Sequence, residues 1–307
     1  MEKKYDLTAL GELLIDFQYL PESATFKANP GGAPANVLSQ VAKLGGSTAF
    51  IGKVGRDVFG RQLRDTLQGL GIAVSGLVTD NAAPTTLAFV TNGDNGEREF
   101  AFYRSGTADT RLSLEDIDAS LIAESAVFHF GTLSLTYEPA ASATRFALEI
   151  AKNSGCLISF DPNLRPALWD DLGRAKKMIR FGAANCDIMK IAKEEAEFAG
   201  LSPKAFPKLT FVTDGANGSD CLYKGAKYHR EAYTINAADT TGAGDAFMGA
   251  VLHKLTGRGK DGIDALSKND IFDALEFANA AGAIVATRHG ALLSMASEQE
   301  IKNLLKK

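Results

Sequence analysis

The run Ala238-Asp239-Thr240-Thr241-Gly242-Ala243-Gly244-Asp245-Ala246-Phe247-Met248-Gly249-Ala250 holds the residues best suited to chemistry in this chain. Gly242 and Gly244 remove side chains just where a helix-like pattern begins, with Ala246, Phe247, Ala250 and Val251 in register. The first N–H groups of such a helix have no intrahelical partner and sit at the positive end of its dipole. They suit a phosphate, or charge developing on one. Asp245 falls in the first turn, beside the same anion. A carboxylate there would only repel a phosphate, unless it meets a hydroxyl while that hydroxyl attacks phosphorus. Phosphoryl transfer asks for positioning, charge neutralisation and a late proton acceptor. Asp245 can take that proton, and the amides of Gly242, Ala243, Gly244 and Asp245 can stabilise the group in transit. A lone GxGD reads as a Gly-rich helix cap. Here it lies inside a longer run with which the rest of the chain agrees.

Two other phosphate-binding patterns are missing. Gly52-Lys53 continues with Val54, so there is no GxxxxGK[ST], and no GxGxxG follows the first strand-like run. P-loop and dinucleotide-binding Rossmann enzymes are set aside on that ground. The three cysteines, Cys156, Cys186 and Cys221, are widely spaced in or beside apolar runs and read as buried, inert thiols. His129, His229, His253 and His289 show no metal-ligand spacing, which argues against a zinc enzyme. The 307 residues are 45% hydrophobic and 23% charged, with a net charge of −4. That composition fills a globular core and lacks the clustered Lys and Arg of a nucleic-acid surface. No apolar run approaches the roughly 20 residues of a membrane span. Met1-Glu2-Lys3-Lys4-Tyr5-Asp6 leads straight into a strand-like segment, so the expected location is cytoplasmic.

The elements that must carry the motif alternate between short apolar runs and helix-length periodic segments. This is the pattern of an α/β fold with a mostly parallel central sheet and helices on both faces. The spacing predicts core strands at 7–11, 48–53, 126–130, 157–161, 187–191 and 209–213, and helices at 33–44, 57–69, 139–153, 173–181, 242–255 and 271–287. Two stretches break the alternation. Residues 87–90 and 99–103 flank Asn92-Gly93-Asp94-Asn95-Gly96, which has hairpin chemistry, and residues 19–27 also look extended. With no helix to cover a second face, they are expected to form a small antiparallel sheet, a lid of about 17–30 and 86–106 on a single domain of 1–307. Such a flap could serve as a lid, a dimer surface, or both.

The motif around Asp245 resembles the C-terminal signature of PfkB-type (ribokinase-like) carbohydrate kinases. Gly31-Gly32-Ala33-Pro34-Ala35-Asn36-Val37, followed by Gly45-Gly46 and Gly52-Lys53-Val54-Gly55-Arg56-Asp57-Val58-Phe59-Gly60, resembles the N-terminal one. The likeness covers essentially the whole chain. It sharpens towards fructokinases through Pro84-Thr85-Thr86-Leu87-Ala88-Phe89-Val90, Glu97-Arg98-Glu99-Phe100-Ala101-Phe102-Tyr103-Arg104, Ala108-Asp109 and Phe160-Asp161-Pro162-Asn163-Leu164-Arg165-Pro166. The resemblance implies a ribokinase-like three-layer sandwich, ATP as phosphoryl donor, Mg²⁺ on its phosphates and a monovalent cation, usually K⁺.

It also implies roles. Asp16, Gly31, Gly32, Asn36, Phe102 and Arg104 match sugar-side positions, with Asp245 as base and Arg165 on the γ-phosphate. Lys190, Thr213, Gly215, Gly218 and Asn279, with Gly242 and Gly244, match nucleotide-side positions. Asp239, Thr241, Gly290 and Ser294 fall where the family holds its monovalent cation in oxygen ligands. One element departs from the pattern: the family's NxxE reads here as Ala192-Lys193-Glu194-Glu195, so Glu195 is the expected partner of a magnesium-bound water, with Glu194 and Glu197 as rivals. Each residue also has a structural reading. Arg104 could belong to an exposed strand of a dimer interface, Arg165 to a salt bridge, and Asn279 to a buried amide bonded to backbone. Fructose, 2-keto-3-deoxygluconate and an aminoimidazole riboside or other nucleoside are the acceptors to weigh. Outside catalysis, a sugar sensor using the same cleft is the alternative.

Overall fold

The computed structural model describes residues 3–20, 22–92 and 98–306. Its main sheet has nine strands, in the spatial order Ala226–Arg230, Ser219–Tyr223, Leu209–Thr213, Ile188–Ala192, Leu157–Phe160, Ser125–Phe130, Tyr5–Leu10, Thr48–Gly55 and Ala73–Asp80. All pairings are parallel except the two that join the first three strands of that order. The inner strands read as unbroken apolar runs because both of their faces are covered. Side-chain alternation sorts each run between two cores. Val127, Leu157 and Ile188 join one cluster with the helices Ala33–Lys43, Ala243–Leu255 and Lys268–Ala286. Phe128, Phe130, Ile158, Phe160, Met189 and Ile191 join the other, with Ala140–Asn153 and Leu172–Asn185. The result is a three-layer α/β sandwich, as the alternation of elements predicts.

All six expected core strands lie in this sheet, and each of the expected helices is present within a few residues of its predicted bounds. The strands that patterning misses are the two edges and Ser219–Tyr223, which lies beside one of them. Ala73–Asp80 carries polar residues and Gly76, where a Cβ would stand 2.8 Å from the Phe50 carbonyl oxygen. Ser219–Tyr223 and Ala226–Arg230 form a polar hairpin turned by Lys224 and Gly225, both at positive φ. Edge strands face solvent on more sides, so they lose the apolar signature.

A second sheet has the order Thr25–Gly31, Leu14–Leu20, Thr86–Asn92, Arg98–Tyr103. The expected hairpin pairs antiparallel from Leu87↔Tyr103 outward, and its turn at residues 93–97 lies outside the described residues. The expectation of a wholly antiparallel flap is corrected. Leu14–Leu20 and Thr86–Asn92 run parallel, with Asp16 opposite Ala88. The reason is topological: each strand is the outward continuation of a main-sheet strand, Tyr5–Leu10 and Ala73–Asp80, which themselves run the same way. Alternation gives this sheet two unlike faces. Leu14, Asp16, Gln18, Asn29, Val90 and Phe102 line a cavity against the main body. Phe17 and Phe89, opposite one another in register, stack at 4.9 Å on the other face, where Phe26 and Tyr103 meet Phe89 edge-on.

The three cysteines are free; Cys156 and Cys221 are buried, and burial pushes the Cys221 thiol up to about 12. Among the described residues, no helix is long and apolar enough to cross a membrane.

Candidate active site

Gly242 caps the helix Ala243–Leu255 at φ +82°, a left-handed conformation that favours glycine. A Cβ there would lie 2.8 Å from the Ala291 Cβ, and one at Gly244 would lie 2.9 Å from the Lys190 Nζ. The two glycines therefore admit neighbours that any side chain would displace. The helix start stands between two cavities. One, of about 390 Å³, is lined by Asp16, Gly32, Asn36, Arg165 and Asp245 among others, under the small sheet. The other, of about 490 Å³, is lined by Thr213, Gly215, Gly218, Phe247 and Asn279 among others. Thr240 and Gly244 border both.

Asp245 is buried in the wall of the first cavity. Asn36 Nδ2 donates to its Oδ2 at 2.8 Å, and Asn163 Nδ2 reaches Oδ1 at 3.5 Å. Burial raises the Asp245 carboxyl above its ordinary range, although Asn36, Lys190 and Arg165 pull it back. A carboxylate so placed is a stronger base than one in water. Asn36 Oδ1 is buried and, among the described residues, accepts no hydrogen bond. Helix Ala33–Lys43 carries Asn36 into position; it begins at Gly32, φ +130°, where a Cβ would meet the Glu12 carbonyl oxygen at 2.4 Å. Gly31 likewise leaves room for Asp16, whose Oδ2 lies 2.4 Å from the place of its missing Cβ. Burial pushes the Asp16 carboxyl up to about 6, against the pull of Arg165.

Lys190, expected on the nucleotide side, lines the first cavity. Its Nζ lies 3.1 Å from Asp161 Oδ2. Burial disfavours its charge, but the carboxylates of Asp161, Glu195 and Asp245 outweigh that and hold its pKa above the usual value. A fixed cation thus stands against the helix start. Arg165 lines the same cavity, its Nη1 donating to the Leu164 carbonyl at 3.1 Å.

Arg104 is neither exposed nor free. Its guanidinium is buried and donates to Asp109 Oδ2 at 2.7 Å, Thr136 Oγ1 at 2.7 Å and the Leu133 carbonyl at 2.8 Å. It borders the first cavity while clamping the end of a small-sheet strand to the main body. Phe102, two residues earlier on the strand, lines that cavity too.

Glu195 is also engaged. Its Oε1 accepts from the Leu164 amide at 2.6 Å and its Oε2 from the Ala192 amide at 2.9 Å, tying the Arg165 loop to the start of the helix Lys193–Ala199. It lines neither cavity, and Glu194 and Glu197 are exposed. Asn279 borders the second cavity; its Oδ1 accepts from Ser219 Oγ at 2.8 Å and its Nδ2 donates to the carbonyls of Arg230 and Glu231. Thr213, Gly215 and Gly218 line the same cavity, Gly215 and Gly218 at positive φ. Asp239, Thr241 and Gly290 all line the first cavity, and Asp239 Oδ1 accepts from the Thr241 amide at 2.7 Å. Ser294 is buried, lies outside that lining and donates to the Ala291 carbonyl at 2.9 Å.

Sequence reasoning passed over Glu12. It is buried, it lines the first cavity, and its Oε1 accepts from the Ala33 amide at 2.9 Å. The available clue was a charged residue directly after an apolar strand-like run, at the carboxyl edge where ligands bind. Burial pushes this carboxyl up to about 7. A raised folded-state pKa means that the group favours folding below its unfolded value and opposes it once pH rises through about 7. Glu12→Gln is therefore expected to raise the melting temperature of the ligand-free protein at pH 8, by on the order of 3 °C or more. The gain should vanish near pH 5, and thermal melts at the two pH values check it; equal shifts at both would contradict the argument.

The model of the pfkB family carbohydrate kinases matches residues 4–298. Fructokinase-1 of Zea mays is 40% identical, the match covering 98% of each chain, and fructokinase-1 of Oryza sativa subsp. japonica is 41% identical over 97% of each. A crystal structure of a fructokinase from Xylella fastidiosa with bound ATP superposes with a TM-score of 0.92, at 30% identity and 98% coverage of both chains. One of a fructokinase from Vibrio cholerae with fructose, ADP and calcium ion superposes with a TM-score of 0.88, at 29% identity, covering 97% of this chain and 98% of that one. The fold is ribokinase-like, and the chain belongs to the pfkB family of carbohydrate kinases.

Proposed function

We propose that this enzyme transfers the γ-phosphoryl group of ATP to D-fructose, giving ADP and D-fructose 6-phosphate. The observation that carries the reading is the helix start of Gly242, Ala243, Gly244 and Asp245, standing where two cavities meet. Sugar occupies the cavity holding Asp245, and nucleotide the one holding Thr213, Gly215, Gly218 and Asn279. The sugar hydroxyl oxygen forms its bond to phosphorus as the bond from the γ-phosphorus to the β–γ bridging oxygen breaks, and Asp245 takes the hydroxyl proton. The amides at the helix start, Lys190 and Arg165 hold the negative charge in transit. Asp16 accepts from other sugar hydroxyls, Asn36 holds Asp245 at the cavity wall, and Gly31 and Gly32 let the backbone approach. Phe102 covers the sugar. Arg104 acts at one remove, by fixing the strand that carries Phe102.

Among the described residues, no group of three or more His, Cys, Asp or Glu could cage a metal. Mg²⁺ keeps water and phosphate ligands in kinase sites, and Glu195 would reach such a water through the lone pairs that the two amides leave. When bound, it would neutralise phosphate charge. Asp239, Thr241, Gly290 and Ser294 offer oxygen atoms suited to K⁺, which would steady the loop leading into Gly242.

A neutral sugar fits better than an acidic one. Glu12, Asp16, Asp239 and Asp245 line the first cavity; of its cations, Arg104 is spent on Asp109, Thr136 and Leu133, Lys190 is paired with Asp161, and Arg165 serves the phosphoryl group. A coupled ADP-release assay against fructose, 2-keto-3-deoxygluconate, ribose and nucleosides, with and without K⁺, tests the proposal. Fructose should lead in kcat/KM by on the order of 100-fold or more. A higher value for any other acceptor refutes it, and heat stabilisation by fructose without ADP release would favour a sensor.

The aromatic outer face of the small sheet, with Phe26 45% and Tyr103 64% exposed, is the surface on which a second copy would pack. A monomeric mass by light scattering would contradict this homodimer.

A further inference from the structure

The nucleotide-side cavity lacks any side chain committed to one form of a purine edge. Among the described residues no charged one lines it, and its floor and walls are small or apolar, including Ile235, Phe247 and Ala283. Apart from Asn279, its polar side chains are the hydroxyls of Thr213, Tyr233, Thr234 and Thr240. A hydroxyl can donate or accept and rotates to suit its partner. Asn279 is the side chain that could have distinguished an amino from an oxo group, but its amide is engaged within the protein. Its Nδ2 donates to the Arg230 carbonyl at 3.3 Å and the Glu231 carbonyl at 3.1 Å, and its Oδ1 accepts from Ser219 Oγ at 2.8 Å. It braces the turn before Ser219 against the strand ending at Arg230, and so shapes the cavity without reading the base.

We infer that this cavity accepts purine nucleoside triphosphates bearing either a 6-amino or a 6-oxo group, so that ATP is one of several donors. The inference rests on the proposed use of this cavity for the nucleotide. A site built to hydrogen-bond one substrate group rejects an analogue lacking it by about 10⁴-fold or more, whereas an apolar slot discriminates far less. Rotatable hydroxyls around an apolar slot place this enzyme in the second class. Base stacking and triphosphate contacts then carry the affinity for every purine donor alike.

ATP and ITP differ at the 6-substituent and the N1 proton, so they isolate the point. With fructose saturating, kcat/KM for ATP, ITP and GTP should agree within about tenfold. An ATP preference over ITP beyond that overturns the inference. Calorimetric binding of ADP and IDP gives a readout independent of the acceptor: dissociation constants within tenfold support the inference, and a larger gap sinks it. Lack of turnover with fructose from any donor would instead count against fructose as the acceptor. Asn279→Ala should weaken ADP and IDP by the same factor; a changed ratio would make Asn279 a reader of the base and overturn the argument.

Discussion

Asp245→Asn is expected to lower kcat with fructose by on the order of 10²-fold or more, with sugar affinity nearly unchanged. The amide keeps an oxygen to accept from Asn36 Nδ2, which donates to the carboxylate at 2.8 Å in the parent protein, so the cavity wall should hold its shape. The lost property is basicity, which burial has already raised here. The parent enzyme should lose kcat as pH falls through the raised pKa of Asp245, because the protonated carboxyl cannot take the hydroxyl proton. The variant should lack that acidic limb. Steady-state kinetics across pH, together with calorimetric fructose binding, check both statements, and near-normal turnover would remove Asp245 from the chemistry.

Gly242→Ala should cost kcat about 10²- to 10³-fold, the scale of losing a donor from a preorganised anion site. Two physical effects combine. At φ +82° an L-residue carries a conformational cost of roughly 1–2 kcal/mol. In addition, the new Cβ would stand 2.8 Å from the Ala291 Cβ and 3.2 Å from the Ala291 Cα, and a backbone atom cannot swing aside. The helix start must then move relative to the two cavities, which spoils the aim of the amides while leaving Asp16, Asn36 and the sugar cavity in place. The fructose KM should accordingly change far less than kcat. Gly69→Ala is the control, since nothing lies within 4 Å of its would-be Cβ; it should behave like the parent. Equal activity of the two variants would mean that the left-handed cap does not position the amides.

Local chemistry is written locally, and that part of the molecule could be read directly. Gly242, Gly244 and Asp245 are close together in the chain, so their spacing already implied an anion-binding helix start with a carboxylate in its first turn. The six core strands were legible for a related reason: a strand covered on both faces must be apolar throughout, as in Leu157–Phe160, where every residue is buried. The edge strands Ala73–Asp80 and Ala226–Arg230 were not, because an edge is free to carry polar residues, nor was Ser219–Tyr223 beside the second, in which only alternate residues are fully buried. Nor was the parallel pairing of Leu14–Leu20 with Thr86–Asn92, since which strand lies beside which depends on where two distant strands leave the main sheet.

Side chains with a choice of partners were settled only by the folded chain. Arg104 is as able to bind a substrate as a protein carboxylate; proximity to Asp109, Thr136 and the Leu133 carbonyl turns it into a clamp. Glu195 meets the amides of Leu164 and Ala192, Lys190 meets Asp161 at the end of the neighbouring strand, and Glu12 accepts from the Ala33 amide. The α/β architecture and the Gly242–Gly244–Asp245 chemistry follow from the order of residues, because apolar periodicity and glycine's conformational range act over a few neighbouring residues. The tertiary structure alone decided which charged groups remain open to a substrate. A long polar side chain takes its role from whatever the fold brings within about 3 Å, and that distance bears no relation to separation along the chain.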